Sequence, residues 1–450
     1  MHANAHSDSS IFGMNWNPAN AAPAILLRRL FLTFMFLFLT LAAQSARAQT
    51  FTVIHTFTGP DGSYPQTGVT IDAAGNLYGT TVGGGATGNG TVFELSNPGS
   101  GWVLNTLYSF SWLSSGGSDP QGRITVAQDG SLYGTAQYGG IGQCFEGYGC
   151  GVVFRLEAAS PGESWTETVV HSFSGKSDGG NPQGDLTFDA AGDIYGIAGG
   201  GGSPGGDCIW PSPYSCGTAY KLTPSSNGWL ISVLHYFQME IAGYWGTDGS
   251  SPRGGLVLDN AGNVYGTTLQ GGRHGDGTIY QLSPHGSRWT EQILNNSDGV
   301  PSNDGLIMDA SGNIYGTTLY GGDNDAGTVF ELSLVNGTWT YNTIFAAFPS
   351  DGGNCTDLGC GPQGRLLMDA AGNLYGTTIG GGAYGYGNVF KLTRSSGGWT
   401  YTSLHDFTGR DDGGGAYPFG GVVRDANGNL YGTTDEGGTN DQGVVFEITP

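Results

Sequence analysis

A Tyr-Gly pair recurs in one repeated frame seven times along this chain, at Tyr78, Tyr133, Tyr195, Tyr265, Tyr315, Tyr375 and Tyr431, at intervals of 50 to 70 residues. Each copy stands in the same frame. A Gly-led apolar run comes first, as in GVTID, GDLTFD or GRLLMD. A turn such as AAGN leads into NLYGTT, and a Gly-rich loop then leads into GTVFEL or a variant of it, beginning at Gly90, Gly151, Gly217, Gly277, Gly327, Gly387 and Gly443. An aromatic-led run closes the unit, as in Trp165 to Phe173. All four segments are short, β-branched or aromatic, and bounded by Gly, Asn, Asp or Pro, which is the signature of strands. Four strands in roughly 55 residues is the arithmetic of a propeller blade. A β-helix coil needs a shorter period, and separate sandwiches need more residues per unit.

The ends of the repeat array predict ring closure. The seventh unit stops after its third strand, at Gly443–Pro450, whereas QTFTVIHTF from Gln49 is a fourth strand without its first three. Aligned on Trp165 to Phe173, Gln49 takes the Trp position and Phe57 the final Phe. The expectation is an all-β, seven-bladed propeller over residues 49–450, its last blade completed by the N-terminal strand. Closure of this kind removes sheet edges that would invite aggregation.

Residues 1–48 read as a signal peptide. Arg28 and Arg29 precede the apolar run Leu30 to Ala43, and Ala46-Arg47-Ala48 follows it. The run is too short for a comfortable membrane span, so the mature chain is expected to be secreted or periplasmic, without a transmembrane segment. No cysteine follows the leader closely enough for a lipid anchor. The formal charge is −22, and removal of residues 1–48, with three Arg and one Asp, makes it −24. Such acidity excludes nucleic-acid binding by counterion release. The 84 glycines accompany 53 aromatic residues, so this is not a disordered Gly-rich linker.

The repeat resembles the GloVer tandem repeat of secreted bacterial proteins, on the words GNLYGTT, the following GG, and GTVFEL. The resemblance covers essentially all of residues 51–450. It implies an extracytoplasmic protein, carries no established activity, and often goes with a surface-anchoring tail. The final GVVFEITP lacks such a tail, which favours a free protein.

In a four-stranded blade the loops joining strands two to three and four to one share one face. The Tyr-to-Gly interval across the two-to-three loop is 12 residues in five units, but 18 in the second and 22 in the third. Those two units carry Cys144/Cys150 and Cys208/Cys216, and Cys355/Cys360 lies in a four-to-one loop on the same face. An even cysteine count in an exported chain reads as disulfides, and adjacency favours these three local pairs over zinc. Braced insertions point to loops that must hold a shape. Candidate ligand-binding residues on that face are Tyr148, Trp210, Tyr214, Trp245, Asp248, Arg253, His274, Asp276, Asp304 and Tyr384. Aromatic rings stack on sugars, and carboxylates and guanidinium groups take hydroxyls. The bland alternative is that such aromatics cover blade tops.

The expected function is a non-enzymatic binding or interaction module, with a carbohydrate or an envelope protein as partner and the chain a monomer. A polysaccharide hydrolase or lyase at the central mouth is the alternative, and a structural protein-interaction scaffold is a third. No catalytic constellation is visible. D-A-A-G-N recurs at Asp72 and Asp369, but one Asp per copy suits a turn better than a calcium site. No resident cofactor or metal is expected, weakly held calcium at DNDAG (Asp323 to Gly327) or TNDQG (Thr439 to Gly443) apart. His55, His171, His235 and His405 occupy equivalent fourth-strand positions and read as packing residues.

Overall fold

The computed structural model describes residues 49–111, 116–142, 144, 147–158, 160, 164–202, 216–238, 248–296, 301, 305–323, 325–346, 348, 361–410 and 413–450. Gln49–Pro450 form one compact unit. Its strands make seven antiparallel sheets, each a meander in chain order. In the second and third sheets the innermost strand is split, into Gly117–Pro120 with Thr125–Val126 and Gly180–Pro182 with Thr187–Phe188. The ring closes as the sequence predicts. Strand Thr50–Thr56 lies beside Val444–Thr449, with Phe51 opposite Ile448 and His55 opposite Val445. Among the described residues, no helix is long and apolar enough to cross a membrane.

Burial explains the residue pattern of each strand. The second strand, LYGTT in three blades and IYGTT in a fourth, is buried at every position because neighbouring blades cover both faces. The fourth strand alternates, as in Gly398–Asp406, because one side meets solvent. The repeated glycine follows from a cross-strand pair. Gly79 faces Phe93 and Gly376 faces Phe390. A Cβ at Gly79 would stand 2.5 Å from the Phe93 ring, and one at Gly376 2.6 Å from Phe390. Each glycine is thus the floor on which a fully buried ring lies, a burial that contributes about 2–3 kcal/mol.

The tyrosine beside that glycine points to the opposite face. Tyr78, Tyr195, Tyr265, Tyr315, Tyr375 and Tyr431 each donate a hydrogen bond to the Asp that opens the preceding turn, at 3.0–3.3 Å. The same Asp accepts backbone N–H groups two and four residues on, as Asp72 does from Ala74 and Asn76. The D-A-A-G-N words are therefore turn chemistry joined to the core. In the second unit the turn opens with Ala127, so Tyr133 has no Asp there.

Neighbouring blades are latched by a glycine and a proline. In six units the glycine that starts the GTVFEL word receives the proline that leads into the next blade. A Cβ at Gly90, Gly327, Gly387 or Gly443 would lie 2.5–2.8 Å from Pro120, Pro362, Pro418 or Pro65 respectively. Gly151 with Pro182 and Gly217 with Pro252 repeat the contact. The residue before the proline adopts a left-handed backbone at Tyr64, Asp119, Asn181, Ser251 and Tyr417, with φ of 54–58°. That conformation costs about 1 kcal/mol or more for a non-glycine residue. It turns each N–H onto a carbonyl of the previous blade: Tyr64 to Gln442, Asp119 to Asn89, Asn181 to Cys150, Ser251 to Cys216 and Tyr417 to Tyr386, at 2.7–3.1 Å.

At the hub the innermost strands meet backbone to backbone. A Cβ at Gly122 would collide with Gly184, one at Gly184 with Gly254, one at Gly364 with Gly421, and one at Gly420 with Gly68. The Gly-led start of each first strand reflects this closeness.

Candidate functional site

The four-to-one and two-to-three loops do share a face: Ser63 bridges to Gly83, and Ala416 to Glu436. Among the described residues, the large apolar side chains left exposed form two groups. Val103, Leu230, Leu334 and Val335 lie on the outer strands, whereas Tyr64, Ile141, Tyr148, Tyr320 and Tyr384 all lie on the loop face. Tyr148 is 49% exposed and Tyr384 60%.

One of the expected disulfides is seen in full, Cys144–Cys150. Cys216 is also disulfide-bonded; Cys208, Cys355 and Cys360 lie outside the described residues, as do Trp210, Tyr214, Trp245 and Asp304. The Cys144–Cys150 bridge has a structural consequence beyond its own loop. The Cys150 carbonyl accepts the Asn181 N–H of the next blade, and adjacent Gly151 seats Pro182.

The remaining predicted residues do not act as one group. The Asp248 carboxylate accepts from His235 at 3.2–3.3 Å and from the Gln238 N–H at 3.2 Å. It belongs to the junction of the third and fourth blades. His274 and Asp276 stand exposed. Arg253 sits at the hub, at the position after the latch proline that Gln66, Gln121, Gln183 and Gln363 occupy elsewhere. Burial lowers its pKa, and its guanidinium has no hydrogen-bond or ion-pair partner among the described residues. Nearby hub charges are committed: Asp185 takes the Arg123 N–H at 3.0 Å and faces the Arg365 guanidinium at 3.5 Å.

The fourth-strand histidines are packing residues, as expected, and three of them have a second role. They pack against rings, as in His55 on Phe57 at 4.9 Å. Three of them also hold an aspartate from the following loop: His55 with Asp61 at 3.0 Å, His171 with Asp178 at 3.3 Å, and His235 with Asp248. In the two loops considered for calcium, Asp325 and Asp441 instead accept backbone N–H groups of their own loops, from Gly321 and Gly437.

The best-formed polar and aromatic group lies where the sixth and seventh blades meet on the loop face. Tyr386 and Tyr417 pack edge to face at 5.9 Å, and the Arg410 guanidinium stands 5.8 Å over the Tyr417 ring. Arg410 pairs with Glu436 and lies 3.6 Å from Asp441. Asp435, whose N–H bonds the Tyr417 carbonyl, lies beside Gln66. Burial first, then the negative charges of Glu436 and Asp441, push the Asp435 carboxyl up to about 6, against the pull of Gln66 and Arg410. One of its oxygens is buried without a hydrogen-bond partner. Tyr384, two residues before Tyr386 in the chain, stands exposed.

The sequence analysis names Tyr384 in this region but not Arg410, Tyr417, Asp435 or Glu436. A signal existed. The residue after YGTT is Val82, Leu269, Leu319 or Ile379 in four other units but Asp435 here.

Solved structures similar to this chain share low sequence identity with it. One is a putative 6-phosphogluconolactonase from Bacteroides uniformis, at 14% identity and TM-score 0.50, covering 79% of this chain and 88% of its own. A protein from Lactobacillus plantarum matches at 14% identity and TM-score 0.50, covering 83% and 99%. A fungal alcohol oxidase of the AA5 family, in complex with copper, matches at 12% identity and TM-score 0.51, covering 89% and 76%. Likeness at this identity shows the fold alone. No curated protein matches the chain. The repeat itself settles the family: the model of the Gloeobacter/Verrucomicrobia repeat matches residues 40–210, 208–358 and 353–450, and the chain belongs to that family.

Proposed function

We propose that this protein is an exported, non-enzymatic binding propeller that takes a carbohydrate at the junction of its sixth and seventh blades. The observation that carries the reading is the grouping of Tyr386 and Tyr417 with Arg410, Glu436 and Asp441 on the loop face, with exposed Tyr384 two residues before Tyr386. Sugar rings present C–H-rich faces that stack on aromatic rings, and their hydroxyls pair with carboxylates and guanidinium groups. Arg410 is oriented by two carboxylates and the Tyr417 ring before any ligand arrives, which lowers the ordering cost of binding.

A glycan array followed by calorimetry tests this. Binding to at least one polysaccharide is expected, weakened about tenfold or more by Tyr417→Ala, since a lost aromatic anchor is worth on the order of 1–2 kcal/mol. No binding to any polysaccharide, with or without calcium, sinks it. The raised pKa of Asp435 favours a second reading, a polysaccharide hydrolase or lyase using Asp435 as an acid. Release of reducing ends or unsaturated sugars from a polymer panel would promote that reading.

A further inference from the structure

The outer strands of adjacent blades touch at a fixed pair of positions. The residue four places before the histidine position of one blade meets the histidine position of the blade before it. Phe51 thus stacks on His405 at 3.7 Å, and Tyr401 on Phe345 at 5.1 Å. Where the second blade meets the first, Glu167 accepts from the Tyr108 hydroxyl at 2.7 Å and from the Gly117 N–H at 3.2 Å, so both its oxygens are satisfied. Between the third and fourth blades the same two positions hold His235 and Glu291. There the loop aspartate, Asp248, is present as well, where the second blade has Gly116.

We propose that His235, Asp248 and Glu291 form a binding site for a first-row divalent metal ion of the zinc type. One ligand atom from each lies within 4.8 Å of the others, the sole such trio among the described residues. His235 Nε2 is 3.2 Å from Asp248 and 3.6 Å from Glu291. Two ligands at about 2.0–2.2 Å from a tetrahedral ion stand roughly 3.3–3.6 Å apart. The Glu291 contact is too long for a hydrogen bond but fits two ligands of one ion. Its Oε1 is buried and has no hydrogen-bond partner, a donor set left incomplete by the protein alone. One imidazole and two carboxylates suit zinc or manganese, with a fourth position left for water or a further ligand.

The coincidence of residues supports a site rather than ordinary junction packing. His55 and His171 have their aspartates, Asp61 and Asp178, but the facing positions on the next blades are Leu104 and Ile231. Glu167 has its facing partner but no histidine. Only at the junction of the third and fourth blades do all three groups meet among the described residues. The side chains are 15–21% exposed, mostly covered yet reachable by an ion. This site is separate from the proposed carbohydrate site, so the two readings fail independently.

The test uses the whole exported chain without a histidine tag, stripped with chelator and titrated calorimetrically with ZnCl2 and MnCl2. One ion per chain is expected. Glu291→Gln keeps the shape of the side chain and should weaken zinc binding about a hundredfold, as should Asp248→Asn. Asp61→Asn, which alters an equivalent His–Asp pair without the third ligand, should leave it unchanged. Cobalt substitution should give visible absorption bands that vanish in Glu291→Gln. Thermal melts without metal establish that each variant is folded before its titration is read. Zinc binding that survives Glu291→Gln, binding that is equally lost in Asp61→Asn, or no uptake at millimolar zinc would each overturn the proposal.

Discussion

Replacing Asp435 by Asn should make this protein more stable at neutral pH. In the folded chain the Asp435 carboxyl is pushed from 3.8 up to about 6, first by burial and then by Glu436 and Asp441. A shift of that size penalises the ionised form by about 3 kcal/mol. A group whose folded pKa is raised contributes stability below its unfolded pKa and loses that contribution as pH rises through the folded value. Wild type should therefore weaken relative to Asp435→Asn between pH 4 and pH 7. Asn keeps the size of the side chain and one acceptor oxygen beside Gln66, so the packing of the seventh blade is kept. For a folding unit of about 400 residues, 3 kcal/mol corresponds to a rise in Tm of about 3 °C. Scanning calorimetry at pH 7.5, 6 and 4 reads this directly, with a gap of that size at pH 7.5 that closes by pH 4. A variant no more stable than wild type at pH 7.5, or a gap independent of pH, would refute the electrostatic account of this residue. If the variant also loses carbohydrate binding, the charge is retained at a stability cost because the ligand requires it.

Gly184→Ala should destabilise the ring by about 3 kcal/mol or more, because Gly184 has φ +88° and its Cβ would run into the Gly254 carbonyl; a melt unchanged from wild type would show that the hub has slack. Removing the Cys144–Cys150 bridge by Cys144→Ser with Cys150→Ser should cost about 2 kcal/mol by loop entropy. Hydrogen exchange should then speed up at Asn181, whose N–H rests on the Cys150 carbonyl, and an effect confined to the loop itself would count against the latch. Deleting Thr50–Thr56 opens the last blade, so the chain should aggregate or melt far lower, measured by light scattering and calorimetry; a monomer of near-native Tm would contradict closure.

The architecture was legible because the repeat is strict. Seven Tyr-Gly pairs mark seven second strands, and the register of Phe57 with Phe173 places the closing strand correctly. Cys144 and Cys150 paired as adjacency suggested. The sites were not legible to the same degree, and the reason is geometric. A repeat register says how far along a blade each side chain sits, but not which side chain of the next blade it meets. Glu291 looked like one polar residue on an outer strand, and His235 like one of four packing histidines, until the blades were set side by side. Asp248 was expected to face a ligand with Arg253, yet the His–Asp pairing that recurs in three blades claims it. Asp435 left a visible mark, an acid where four other units are apolar, but its role and that of Glu436 depend on Arg410 and Tyr417 from a separate loop.

The glycine–proline latches are local and identical in kind, so an extra unit could be spliced into the circle with every one of them intact. The contact between Asp185 of the third blade and Arg365 of the sixth is different, because it joins blades that are not neighbours, at 3.5 Å. Its length therefore depends on how many blades surround the hub. An eight-unit version of this chain should form its latches without difficulty and draw Asp185 and Arg365 apart.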